Sequence, residues 1–130
     1  MILGCKETLI YRLLSDCGID FHLTGSRRYG GYTVTSDWDF FVQSSPDTIN
    51  WLEANGFIQL PNGIYTKQQN TERVYKHGEL PVHVICCDDL RLALDAQDVI
   101  IGLRLLDFCI STKDVKSMWI RVYSYLRSGS

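Results

Sequence analysis

The residues best suited to chemistry stand together between His22 and Val42, in the run His-Leu-Thr-Gly-Ser-Arg-Arg-Tyr-Gly-Gly-Tyr-Thr-Val-Thr-Ser-Asp-Trp-Asp-Phe-Phe-Val. An apolar stretch ends in Gly25-Ser26, a polar loop carries Arg27-Arg28 and Gly30-Gly31, and a second apolar stretch opens with Asp37 and Asp39. Alternate side chains of a β-strand share a face, so the two carboxylates are expected to point the same way, a few Å apart. Two anions that close repel unless a positive charge lies between them. A hard divalent cation answers that need, because Mg²⁺ is commonly held by one or two carboxylates together with substrate phosphates. Gly25-Ser26 fits the same chemistry. Glycine lets the backbone approach a phosphate, and the N–H groups of a tight turn make an anion-binding nest. Arg27 and Arg28 would add charge-assisted bonds to phosphate oxygens. Taken singly, each element has a plainer explanation: Gly-Ser and Gly-Gly form ordinary turns, and paired arginines form a solvated surface.

Gly-Ser, ten intervening residues and an Asp-x-Asp framed by hydrophobic residues resemble the signature of the DNA polymerase β-like nucleotidyltransferase superfamily. The wording Gly-Ser-Arg-Arg-Tyr-Gly with Ser-Asp-Trp-Asp-Phe-Phe is similar to small nucleotidyltransferase-like proteins of bacteriophage genomes. The resemblance implies that Gly25 and Ser26, with Arg27 and Arg28, hold the phosphates of a nucleoside triphosphate. It implies that Asp37 and Asp39 ligate Mg²⁺ or Mn²⁺. In that superfamily a third carboxylate, on a later strand, completes the metal site and helps activate the attacking hydroxyl.

At the matching place, Val82-His83-Val84, this chain has a histidine. Imidazole is a poorer Mg²⁺ ligand than a carboxylate, because hard cations prefer oxygen. It can still accept a proton from an attacking hydroxyl. The plainer alternative is a strand histidine whose ring nitrogens are hydrogen-bonded. Asp88 and Asp89 stand at the end of the same stretch and would reach the site from another direction, although both are already explained as helix caps. Lys67, Arg73, Lys76 and His77 lie on an expected hairpin, from which one of them would touch an anion.

The elements that must position these groups follow from periodicity. A helix is expected over Lys6–Ser15 with Leu9, Ile10, Leu13 and Leu14 on one stripe, stopped by Cys17-Gly18. Strands are expected at Ile19–Thr24 and Trp38–Gln43. Ser44-Ser45-Pro46-Asp47 reads as a helix start, with Ile49 and Leu52 inward and an end at Asn55-Gly56. Further strands are expected at Phe57–Leu60, Ile64–Lys67, Arg73–Lys76 and Pro81–Cys87, with turns at Pro61-Asn62-Gly63 and His77-Gly78. A helical region from Asp88-Asp89 to about Phe108 is expected to break near Asp95–Asp98. A last helix, capped by Ser111 or Thr112, carries Val115, Met118, Trp119, Val122, Tyr123 and Leu126 at core spacing. Such an order describes an α+β fold, a mixed β-sheet with helices packed against it, of nucleotidyltransferase-like type by resemblance.

Composition bounds the reading. The chain has 130 residues, suited to one domain over 1–130, and its 45% hydrophobic and 22% charged content is ordinary for a globular protein. A net charge of −2 provides no overall basic field for nucleic acid. Five cysteines without regular spacing argue against a secreted disulfide framework, and no secretory leader or membrane-spanning run is legible. The expected setting is cytoplasmic, the host cytoplasm if the chain is phage-encoded. Cys86-Cys87 adjoins His83, but neighbouring strand residues point to opposite faces, so buried, inert thiols are expected rather than a metal site.

These observations lead to an enzyme that binds Mg-nucleoside triphosphate and transfers a nucleotidyl group to an acceptor, whether a small molecule, a host protein or a nucleic acid. The rival is a catalytically inactive nucleotidyltransferase fold, a pseudoenzyme acting as a phage-encoded binding protein or inhibitor of a host enzyme or defence complex. An antitoxin-like partner of a toxin shares the rival's expectations.

Overall fold

The computed structural model describes residues 5–15, 17–61, 73–106, 111 and 114–128. The expected strand at Ile64–Lys67, with Lys67 itself, Thr112 and Phe108, lies outside the described residues. The rest forms a mixed α+β structure of five strands and five helices. The strands are β1 (His22–Thr24), β2 (Trp38–Gln43), β3 (Phe57–Gln59), β4 (Arg73–His77) and β5 (Val82–Cys87). The helices are α1 (Cys5–Ser15), α2 (Ser26–Tyr29), α3 (Pro46–Ala54), α4 (Leu90–Leu105) and α5 (Val115–Ser128).

One sheet holds all five strands in the order β1-β2-β5-β4-β3. β2 and β5 run parallel at its centre, and every other neighbouring pair is antiparallel. β5, buried on both faces, reads as a nearly unbroken apolar run interrupted by His83. The alternation of β2 and β5 divides the core in two. Phe41, Ile85 and Cys87 face α4 and α5, whereas Val42, Val82, Val84 and Cys86 face α1 and α3. Cys86 and Cys87 thus enter separate cores, as their adjacency on a strand requires.

On the first face, Trp119 is the central contact. Its ring stacks on Phe41 at 5.4 Å and on Tyr123 at 4.8 Å, and its indole N–H donates to the Ala93 carbonyl at 3.1 Å. One side chain therefore ties α5 to α4 and to β2, and burying an aromatic of this size contributes about 3 kcal/mol or more. The expected stripe on α5 is borne out: Val115, Trp119 and Tyr123 are buried, with Met118, Val122 and Leu126 packed beside them.

Local chemistry sets the helix ends. The Ser45 hydroxyl accepts from the Thr48 N–H, and Pro46 stands in the first turn of α3. The Asp89 carboxylate accepts from the Leu92 N–H at 3.1 Å and caps α4. α4 does not break near Asp95–Asp98. Ala93, Ala96, Gln97 and Ile100 form one buried stripe, which leaves Asp95 and Asp98 on the solvent face, where acids are no interruption. Val99, Leu105 and Leu106, apolar but off that stripe, are exposed. Leu9 of α1 is half exposed for the same reason, its turn being anchored by buried Ile10. β1 is shorter than expected because only His22, Leu23 and Thr24 find partners, in Phe41, Phe40 and Asp39.

Candidate functional site

A row of side chains crosses the sheet where β1 ends and β2 and β5 begin. Thr24 lies opposite Asp39, Asp39 opposite His83, and His83 opposite Lys76, so all four project from the same face. α4 and α5 cover this face farther along the strands but leave its near end open: the Asp37 side chain is 47% exposed and that of Asp39 27%.

Both acids converge on one nitrogen. His83 Nδ1 lies 3.5 Å from Asp37 Oδ2 and 3.4 Å from Asp39 Oδ1. That nitrogen is itself buried and has no hydrogen-bond partner within bonding geometry. The expected shared direction of the two carboxylates is therefore seen, and the satisfied strand histidine is not. Asp88 and Asp89 do not substitute for a third acid. Asp88 is five residues along β5 from His83, about 16 Å at strand rise, and Asp89 is committed to its cap.

Gly25 abuts the acids. Its backbone is at φ 69°, ψ −163°, a conformation close to glycine-only. A Cβ there would collide with the Asp39 carboxylate, falling 2.9 Å from its Cγ. Ser26, expected in a tight turn, opens the single helical turn α2, so that the loop after it begins later than the sequence suggested. The Arg28 and Tyr29 N–H groups both donate to the Gly25 carbonyl at 3.0 Å. The N–H groups of Ser26 and Arg27 head this turn without an intrahelical acceptor, as at any helix start. Arg104 and Gln97 of α4 brace it from behind, donating to Tyr29 O at 2.9 Å and to Leu23 O at 3.4 Å. Burial raises the Tyr29 phenol far above its usual range.

The two arginines separate. Arg27 is committed to the loop that follows it: Nη2 donates to the Ser36 carbonyl at 3.0 Å and to that of Thr33 at 3.4 Å, while the guanidinium lies 4.0 Å over the Trp38 ring. Its bonds to these carbonyls tie down the loop that precedes Asp37. Arg28 is exposed beside it. On the hairpin, Lys76 stands opposite His83 but its ammonium donates to the His77 carbonyl at 3.3 Å, and His77 is structural. His77 Nδ1 accepts from the Glu79 and Leu80 N–H groups at 3.1 and 2.9 Å and so closes the turn into β5. Sequence reasoning missed Thr24, Gln97 and Arg104, because their roles depend on contacts between distant segments.

Among the described residues, no group of three or more His, Cys, Asp or Glu forms a ready metal cage. The residues present nevertheless suit a cation that arrives with ligands of its own. Two partly exposed carboxylates converge beside a buried ring nitrogen, and Mg²⁺ is ordinarily shared between one or two protein carboxylates and substrate phosphates. No helix among the described residues is long and apolar enough to cross a membrane. Comparison with family models, with curated proteins and with solved structures returns no match.

Proposed function

We propose that the chain is a nucleotidyltransferase-like enzyme that binds a nucleoside triphosphate with Mg²⁺ or Mn²⁺ and transfers the nucleotidyl group to an acceptor hydroxyl. The observation that carries this reading is the convergence of Asp37, Asp39 and His83 Nδ1 beside the Gly25 turn. Asp37 and Asp39 would hold the metal, which when bound neutralises phosphate charge. Gly25, Ser26 and the exposed Arg28 would hold the phosphates. Arg27 serves the site by fixing the loop before Asp37.

In the transfer, the acceptor oxygen forms a bond to the α-phosphorus, the bond to the bridging oxygen breaks, and pyrophosphate leaves. The hydroxyl proton passes to His83 Nδ1. Nδ1 lies 3.4 Å from the Asp39 carboxylate and 3.5 Å from that of Asp37. Incubation with nucleoside triphosphates labelled at the α-phosphate, Mg²⁺ or Mn²⁺ and cell extract should transfer label to an acceptor. The double variant D37N/D39N should abolish transfer while leaving the fold intact.

One observation favours a second reading. The strand position next to Asp39 carries His83, so the superfamily's third acid is replaced. On this reading the fold is a pseudoenzyme that works by binding, as a phage-encoded inhibitor of a host enzyme or defence complex. Label would then not transfer, and wild type and D37N/D39N would recover the same protein from extract.

A further inference from the structure

On the opposite face of the sheet, away from the Asp39 row, α1 and the β1 edge leave a half-open cavity of about 580 Å³. That volume lies within the range of small-molecule sites. Its floor is apolar, formed by Ile10 and Leu14 of α1 together with Ile19. Four aromatic rings wall it, those of Tyr11, Phe21, Trp38 and Phe40. Tyr11 is 73% exposed, Phe21 beside the edge strand β1 is partly buried, and Trp38 and Phe40 are only partly buried although they stand on β2, inside the sheet. Among the described lining residues the charged groups are two exposed carboxylates, Glu7 and Asp20, and His22 is the one able to carry positive charge; the Arg27 guanidinium lies 4.0 Å over the Trp38 ring.

Ring faces present negative potential, and carboxylates add to it. An apolar pocket of this kind favours a ligand with an apolar body and a cationic head and disfavours an anion. We infer that this cavity is a binding site for an organic ammonium ion carrying an aromatic or aliphatic body. The body would fill the space over Ile10 and Leu14, and the ammonium would sit among the rings at the Glu7–Asp20 rim. Most of its walls belong to the other core, and Trp38, over which Arg27 lies, is the contact it shares with the nucleotide reading.

Calorimetric titration of the full chain with phenylbutylamine, phenylbutanol and phenylbutyrate tests this. The amine should bind about tenfold more tightly than the alcohol, as expected of ring and carboxylate contacts at a partly exposed rim, and the acid should bind most weakly. Glu7→Gln with Asp20→Asn should remove the amine's advantage and leave the alcohol's affinity unchanged. Leu14→Trp should block all three ligands, with circular dichroism confirming the fold, and D39N should change none. Equal affinities for the three probes, or no saturable binding of the amine, would overturn the inference. So would a concentration-dependent dimer that Leu14→Trp disrupts, since a second copy would then be the occupant.

Discussion

Replacing Gly25 by alanine isolates the contact on which the site is built. Alanine must adopt φ 69° with an extended ψ, a region that costs a non-glycine residue about 1–3 kcal/mol. Its Cβ must also displace the Asp39 carboxylate, whose Cγ and Cβ would lie 2.9 and 3.0 Å away. Asp39 has little freedom to retreat, because it sits in a central strand between Thr24 and His83. Inserting a methyl into so tight a contact adds about 1–3 kcal/mol. Gly18 is the control: its φ is 75° but a Cβ there meets nothing within 4 Å, so Gly18→Ala carries the backbone term alone. In urea titrations Gly25→Ala should therefore lose about 1–3 kcal/mol more than Gly18→Ala, which shifts the midpoint by about 1 M. A double-mutant cycle with Asp39→Ala, which removes Cγ and both oxygens, should recover at least about 1 kcal/mol as coupling. Equal losses at the two glycines, or additive effects of Gly25→Ala and Asp39→Ala, would refute the close approach.

Three further outcomes follow from the same geometry. Arg27→Lys should not replace arginine, because an ammonium cannot span the Ser36 and Thr33 carbonyls while lying flat on Trp38; hydrogen exchange should speed up in residues 30–36 while the strands stay protected. His77→Ala removes the acceptor for two N–H groups and the edge contact to Phe57 at 5.0 Å; it should cost about 1–3 kcal/mol in thermal or urea unfolding without altering nucleotide binding. Burial pushes the Cys86 thiol up to about 12 from 9.0. The unfolded chain therefore releases that proton first, so stability is full below pH 9 and falls as pH rises toward 12. Unfolding curves across this interval should show the loss, and Cys86→Ala should lessen it.

Much of the architecture was legible where a local signal coincides with the tertiary demand. Trp38–Gln43 was expected as a strand and is one, because its apolar alternation serves both cores. Ser45 and Asp89 were expected as caps and accept from Thr48 and Leu92. The stripe on α5 matched because a fourteen-residue amphipathic helix repeats its signal several times. Four-residue α2 repeats nothing, so Arg27 to Tyr29 read as loop after the Gly25-Ser26 turn. α4 seemed to break at Asp95–Asp98 because acids imitate a cap when the buried stripe beside them, Ala96 and Gln97, is itself weakly apolar. At the site, the shared face of Asp37 and Asp39 followed from strand geometry. That His83 meets both acids depends on the parallel register of β2 with β5, which joins residues far apart in the chain. The committed state of Arg27 was invisible for a similar reason, since the carbonyls it holds come from a loop without pattern.

On the proposed function, Asp37 and Asp39 accept a divalent cation only together with nucleotide phosphates. Titration of Mn²⁺ followed by the loss of its free electron paramagnetic resonance signal tests this directly, with and without a non-hydrolysable nucleoside triphosphate. Wild-type protein should take up Mn²⁺ beyond what the nucleotide alone binds, about one ion per chain as two carboxylates allow, and D37N/D39N should show no such excess. An excess that survives the double substitution, or none with the wild-type chain, would contradict metal binding by Asp37 and Asp39.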